Sequence, residues 1–150
     1  MTRVLVCGGE SELMEGLTTA SLEAGVFSVV ACSGTEHLLS KLASHRPDVV
    51  LLNTCLELAT EFLSVLGYLT PLPRIVLRVP SAPPEFALHT VSIGVRGVIF
   101  KSASIETLLF CLASVSEGEL WFDKSVFDGV ILPAPEFALL SISARSRTGM

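Results

Sequence analysis

Five short apolar runs punctuate the first 100 residues, and they constrain this chain more than any other feature. Arg3 to Cys7, Phe27 to Ala31, Asp48 to Asn53, Arg74 to Val79 and Arg96 to Phe100 are each five or six residues long, apolar or β-branched nearly throughout. Runs of this kind, without polar alternation, read as strands buried on both faces, as in a parallel sheet. Parallel strands need crossovers, and the intervening segments supply them. Leu13, Leu17, Ala20 and Ala24 recur at helical spacing, as do Leu38, Leu42 and His45, and then Leu58, Phe62, Val65 and Leu69. A fourth, weaker helix is predicted from Glu85 to Ile93. A fifth begins after Ser104, with Ile105, Leu108, Leu109, Leu112 and Val115 as its core stripe. Ser104 is placed to cap that helix and Gly118 to follow its end. The pattern is β-α five times over, which predicts an α/β doubly wound (βα)5 fold: an open sheet of five parallel strands covered by helices on both faces. In such sheets ligands gather at the carboxyl ends of the strands. Here those ends are Gly8 to Glu10, Asn53 to Cys55, Arg78 to Ser81, and Lys101 to Ser102.

Length and composition agree with one domain. The chain has 150 residues, 50% of them hydrophobic and 17% charged, far from the composition of a disordered chain. Its mean hydropathy of +0.64 raises a membrane reading. That reading fails, because strings such as Val49 to Leu52 are strand-sized and fall well short of the ~18 apolar residues a spanning helix needs. The excess apolar surface is assigned to a core or a partner. Fifteen acidic residues against ten basic ones leave a net charge of −5, the wrong sign for a nucleic-acid surface, so no nucleic-acid binding is expected of this chain alone. Cys7, Cys32, Cys55 and Cys111 show no CxxC spacing and read as core thiols of a reducing cytoplasm, with no metal site. The opening Met-Thr-Arg-Val-Leu-Val-Cys is no secretory signal, and a cytoplasmic location is expected.

The layout resembles response-regulator receiver domains, flavodoxin-like in fold, particularly those joined to a LuxR-type helix-turn-helix domain. The most specific stretch is Gly94-Val-Arg-Gly-Val-Ile-Phe-Lys-Ser-Ala-Ser104, then Glu106, Leu108 and Leu109, then Gly118-Glu-Leu-Trp-Phe122. Arg46-Pro-Asp-Val-Val-Leu-Leu52 is similar to the family's third strand, and Arg3-Val-Leu-Val6 with Glu15-Gly-Leu17 to its first strand and helix. The resemblance places Lys101 on the family's active-site lysine. It also implies a receiver-like unit over residues 1–128 and a linker or C-terminal extension over 129–150, where Leu140 to Arg145 looks like the lead-in to a missing helix-turn-helix module.

The chemistry departs from the resemblance. A working receiver has an aspartate phosphoryl acceptor at the end of its third strand and two acids after the first that hold Mg²⁺, which takes hard oxygen ligands. Here the acceptor position is Asn53 and the acid pair is replaced by Gly8 and Gly9. An amide is no acyl-phosphate-forming nucleophile, since its nitrogen lone pair is delocalised and its oxygen carries no full charge. Without a metal, little beyond Lys101 remains to stabilise a transferring phosphoryl group. The family's switch positions are also changed. The Thr or Ser of the fourth strand becomes Arg78 or Val79, and the switch aromatic becomes Val98. Pro80, Pro83 and Pro84 stiffen the loop between.

Plainer roles stand beside each of these. Asn53 can bond the loop after its strand, Gly8-Gly9 can form a tight turn or cradle an anion, and Lys101 can pair with an acid or with solvent. Arg78 beside Lys101 would make an acid-free pocket positive unless Glu10 neutralises it. The expectation is a pseudo-receiver with no catalytic residues, no cofactor and no metal. It would act in signalling or transcription regulation as a homodimer or by docking a partner protein. Phe86, His89, Phe110 and Cys111 are the candidate interface residues, since Phe110 and Cys111 fall outside the expected core stripe. Two alternatives are an anion or small-molecule sensor using Gly8, Arg78 and Lys101, and a flavodoxin-like enzyme. The enzyme reading lacks a Ser/Thr-rich phosphate loop after the first strand.

Overall fold

The computed structural model describes residues 2–8, 11–24, 27–32, 34–54, 59–61, 63–64 and 73–123. Strands and helices alternate as the apolar pattern requires: β1 (Thr2–Cys7), α1 (Ser11–Ala24), β2 (Phe27–Cys32), α2 (Gly34–His45), β3 (Val49–Asn53), a helical segment α3 described at residues 59–61 and 63–64, β4 (Ile75–Val79), α4 (Pro84–Ser92), β5 (Gly97–Phe100) and α5 (Ile105–Ser116). Leu58, Phe62, Val65 and Leu69, the predicted stripe of the third helix, lie outside the described residues, as does the chain beyond 123.

The expectation of five strands is corrected to six. Trp121–Phe122 forms β6, and the parallel sheet runs β2-β1-β3-β4-β5-β6. The Trp121 amide donates to the Arg96 carbonyl at 2.9 Å and the Asp123 amide to the Val98 carbonyl at 3.3 Å. Two residues carry no strand signal of their own; the edge of β5 recruits them. Gly97 makes room, because a Cβ there would stand 2.8 Å from the Trp121 carbonyl oxygen.

Side chains alternate across this sheet and build two cores. Leu5, Leu52, Leu77 and Val98 face Leu38 of α2 and Ala59 of α3, with Leu42, Phe86 and Val91 packed at the margin. On the other face Val4, Val6, Leu51, Val76 and Ile99 meet Leu13 and Leu17 of α1, together with Leu108, Cys111, Leu112 and Val115 of α5. Helices on both faces explain why the strands read as unbroken apolar runs. The α5 stripe is a second correction. Ile105 and Leu109 are only half-buried, whereas Cys111, expected outside the stripe, is fully buried within it. The contacting face is 108, 111, 112 and 115, the i, i+3, i+4, i+7 set of a helix laid on the sheet.

Local chemistry sets the helix ends. Pro83 is the N-cap of α4 at φ −68°, with a proline in the first helical turn, where its fixed φ suits the start. The Ser104 hydroxyl accepts from the Thr107 amide at 3.1 Å, and Gly118 follows α5 at φ +97°. At the amino edge of the sheet, arginines beside the strand starts reach helix-terminal carbonyls. Arg3 Nη1 donates to the His45 carbonyl at 3.2 Å, Arg74 to that of Ser116, and Arg96 Nη1 to that of Gly118 at 3.4 Å. Cations there meet the negative ends of α2 and α5. No helix among the described residues is long and apolar enough to cross a membrane.

Candidate functional site at the carboxyl edge of the sheet

β1, β3, β4 and β5 end side by side, and residues at or next to their ends bring together four of the positions singled out from sequence. Asn53 closes β3 and is 5% exposed. It stands in register with Arg78 on β4. Both continue rows that point to the α1/α5 face, Asn53 above Leu51 and Arg78 above Val76. Asn53 Nδ2 donates to the Gly8 carbonyl at 3.0 Å, and Asn53 Oδ1 accepts from Arg78 Nη1 at 2.6 Å. Arg78 Nη2 donates to the Lys101 carbonyl at 3.3 Å. One half-buried guanidinium thus ties the end of β3 to the end of β5. Hydrogen bonds that involve a charged donor contribute about 1.5–3 kcal/mol each, and burial makes their loss costly.

Gly8 has a stereochemical reason to be glycine. Its φ is +80°, and a Cβ would lie 2.6 Å from the Asn53 carbonyl oxygen. No side chain, acidic or otherwise, fits at this backbone position without displacing β3. Gly9 and Glu10 lie outside the described residues. Lys101 is half-buried, and its amide donates to the Val79 carbonyl at 2.9 Å. Among the described residues no three His, Cys, Asp or Glu side chains come together as a metal-binding group. A cavity of 320 Å³ opens at the opposite, amino edge, lined by Arg3, Leu5, Ser28, Val30, Ser44 and His45, and holds none of the predicted site residues.

No family model matches the chain, and no curated protein does. Solved structures do. The isolated receiver domain of RcsB from Salmonella enterica serovar Typhimurium superposes with a TM-score of 0.70 at 15% identity, covering 84% of this chain and 96% of that one. A LuxR family DNA-binding response regulator from Silicibacter pomeroyi gives 0.66 at 22%, covering 83% and 99%. The chemotaxis response regulator CheY4 of Vibrio cholerae gives 0.64 at 21%, covering 77% and 98%. The fold is that of response-regulator receiver domains.

On this receiver fold, Asn53, Gly8, Arg78 and Lys101 meet at the carboxyl edge, while Val98, Phe86, His89, Phe110 and Cys111 lie away from it. Val98 is fully buried in the core beneath α4. Phe86 is half-buried against that core and His89 is exposed, both on α4. Phe110 is half-buried and packs on the α1/α5 core that also contains Trp121. Cys111, expected at the interface, has no exposed surface, because the rotation of α5 turns it onto the sheet. Sequence reasoning missed the direct pairing of Asn53 with Arg78. The signal was available, since each is the polar residue near the end of an otherwise apolar run, VVLLN and IVLRV, in neighbouring strands.

Proposed function

We propose that this receiver fold serves as a phosphorylation-independent interaction module in signalling or transcription control, pairing with a second copy of itself or docking a partner protein. The observation that carries the reading is the commitment of Asn53: both polar atoms of its amide are engaged, one with Gly8 and one with Arg78. A phosphoryl acceptor needs a free, charged oxygen at this point, and the carboxyl edge offers instead a neutral amide held against a cation. Likeness to a LuxR family DNA-binding regulator, and to RcsB, which is known as two dimers bound to two parallel DNAs, supports a transcriptional setting. In this reading residues 1–128 are the receiver unit and 129–150 a connector of the kind that leads into a helix-turn-helix module. A cytoplasmic location accords with Cys7 and Cys111, which are buried and not joined in a disulfide. No catalytic turnover is assigned to it.

The anion-sensor alternative loses ground on the same geometry. Arg78 turns both terminal nitrogens toward Asn53 and Lys101 rather than toward solvent. For the contact surface, α4, β5 and α5 supply half-buried Phe86 and Phe110 and exposed His89 and Ile93. The deciding experiment treats the full chain with acetyl phosphate, and separately with beryllofluoride, each with Mg²⁺. Unchanged mass, Tm and oligomeric state are expected; an acid-labile phosphoryl adduct overturns the reading.

A further inference from the structure

The neighbours β1, β3, β4 and β5 are crossed at their carboxyl ends by one continuous chain of side-chain hydrogen bonds. It runs from the Gly8 carbonyl to Asn53 Nδ2, from Asn53 Oδ1 to Arg78 Nη1, and from Arg78 Nη2 to the Lys101 carbonyl, at 3.0, 2.6 and 3.3 Å. The backbone ladder finishes at the same level, where the Thr54 amide donates to the Arg78 carbonyl at 3.0 Å and the Lys101 amide to Val79 at 2.9 Å. We propose that Asn53 and Arg78 form a conformational lock across these four strands, holding the start of the β5–α5 connection in one arrangement.

The direction of each bond explains why these two residue types are needed. The ends of the belt, on Gly8 and Lys101, are both carbonyl acceptors. Linking two acceptors through one inner contact requires a donor at each end and a donor–acceptor pair between. An amide supplies a donor nitrogen and an acceptor oxygen, and a guanidinium presents two terminal donor nitrogens in a fixed planar fork. Aspartate at 53 would set a second acceptor against the Gly8 carbonyl. Lysine at 78 has one nitrogen on a flexible stem and cannot hold Asn53 and the Lys101 carbonyl in a fixed fork. The belt also controls an element beyond itself. Lys101 stands just ahead of the Ser104 cap of α5, and the Ala103 amide turns back to the Phe100 carbonyl at 3.0 Å, so a fixed Lys101 carbonyl fixes the entry to α5. The lock goes beyond the functional reading, because it concerns the mechanical state of the carboxyl edge and not what docks on the surface.

Amide hydrogen exchange on the full chain tests it, with Arg78→Ala, Arg78→Lys, Asn53→Ala and the Asn53→Ala/Arg78→Ala double variant. In Arg78→Ala, which removes both charge-assisted bonds of the guanidinium, the amides of Thr54, Lys101 and Ala103 should exchange at least about tenfold faster, while Val50 and Val76 stay protected. Arg78→Lys should behave as Arg78→Ala does. In thermal melts the double variant should lose less than the sum of the two single losses, because either change alone opens the belt. Unchanged exchange at Lys101 and Ala103, full protection in Arg78→Lys, or additive losses in Tm would each overturn the proposal. If Arg78→Ala does not fold, Arg78→Lys, which keeps the charge and most of the stem, carries the same exchange test. Failure here leaves the phosphodonor result untouched, and a phosphoryl adduct would leave these exchange rates to stand on their own.

Discussion

The consequences of the carboxyl edge begin with Gly8. Because its φ of +80° and the 2.6 Å approach to the Asn53 carbonyl oxygen both exclude a Cβ, Gly8→Ala should destabilise the fold by about 2 kcal/mol or more. Chemical denaturation measures this, and a change under ~0.5 kcal/mol would mean that β1 and β3 separate easily. Introducing a carboxylate by Asn53→Asp should leave the chain inert to acetyl phosphate with Mg²⁺, because the new charge would pair with Arg78 and Gly8 offers no acid beside it. Intact-mass spectrometry reads the outcome. Much of this was legible in the residues. An asparagine at the end of the third strand and glycines after the first are visible one position at a time. That the amide and guanidinium bond each other was not, since their contact depends on the pairing of β3 with β4.

At the scale of the element, α5 separates what local signals decide from what packing decides. Its start is written in Ser104, and Ser104→Ala should cost about 1 kcal/mol through loss of the bond from the Thr107 amide. Its rotation is not written there. Leu108 to Ala113 is an unbroken apolar run, and periodicity cannot choose a centre within it. The sheet chooses: Val6, Leu51 and Val76 present a surface on which Leu108, Cys111, Leu112 and Val115 lie innermost. Leu112→Ala should therefore cost about 2–5 kcal/mol, and half-buried Leu109→Ala clearly less. Equal losses in urea melts would restore the stripe centred on Leu109.

For the whole molecule, the face of α4, β5 and α5 is where the proposed pairing is tested. Phe110→Glu would put a charge against the α1/α5 core and unfold the domain before reporting on any interface. Ile93, 41% exposed at the end of α4, is the better probe. If two copies pair through this face, Ile93→Glu should yield a monomer by light scattering with Tm unchanged; a persistent dimer places the contact elsewhere. By itself the sequence determined the succession of β-α units, the parallel sheet with helices on both faces, the caps of α5 and the asparagine that closes the third strand. These follow from periodicity and backbone chemistry within contiguous segments, where each residue's neighbours are known in advance. Tertiary structure alone decided that Trp121–Phe122 joins the sheet, which face α5 turns inward, and that Gly8, Asn53, Arg78 and Lys101 close a single belt. Each of those depends on strand register and on space left by residues distant in the chain, which only the assembled sheet fixes.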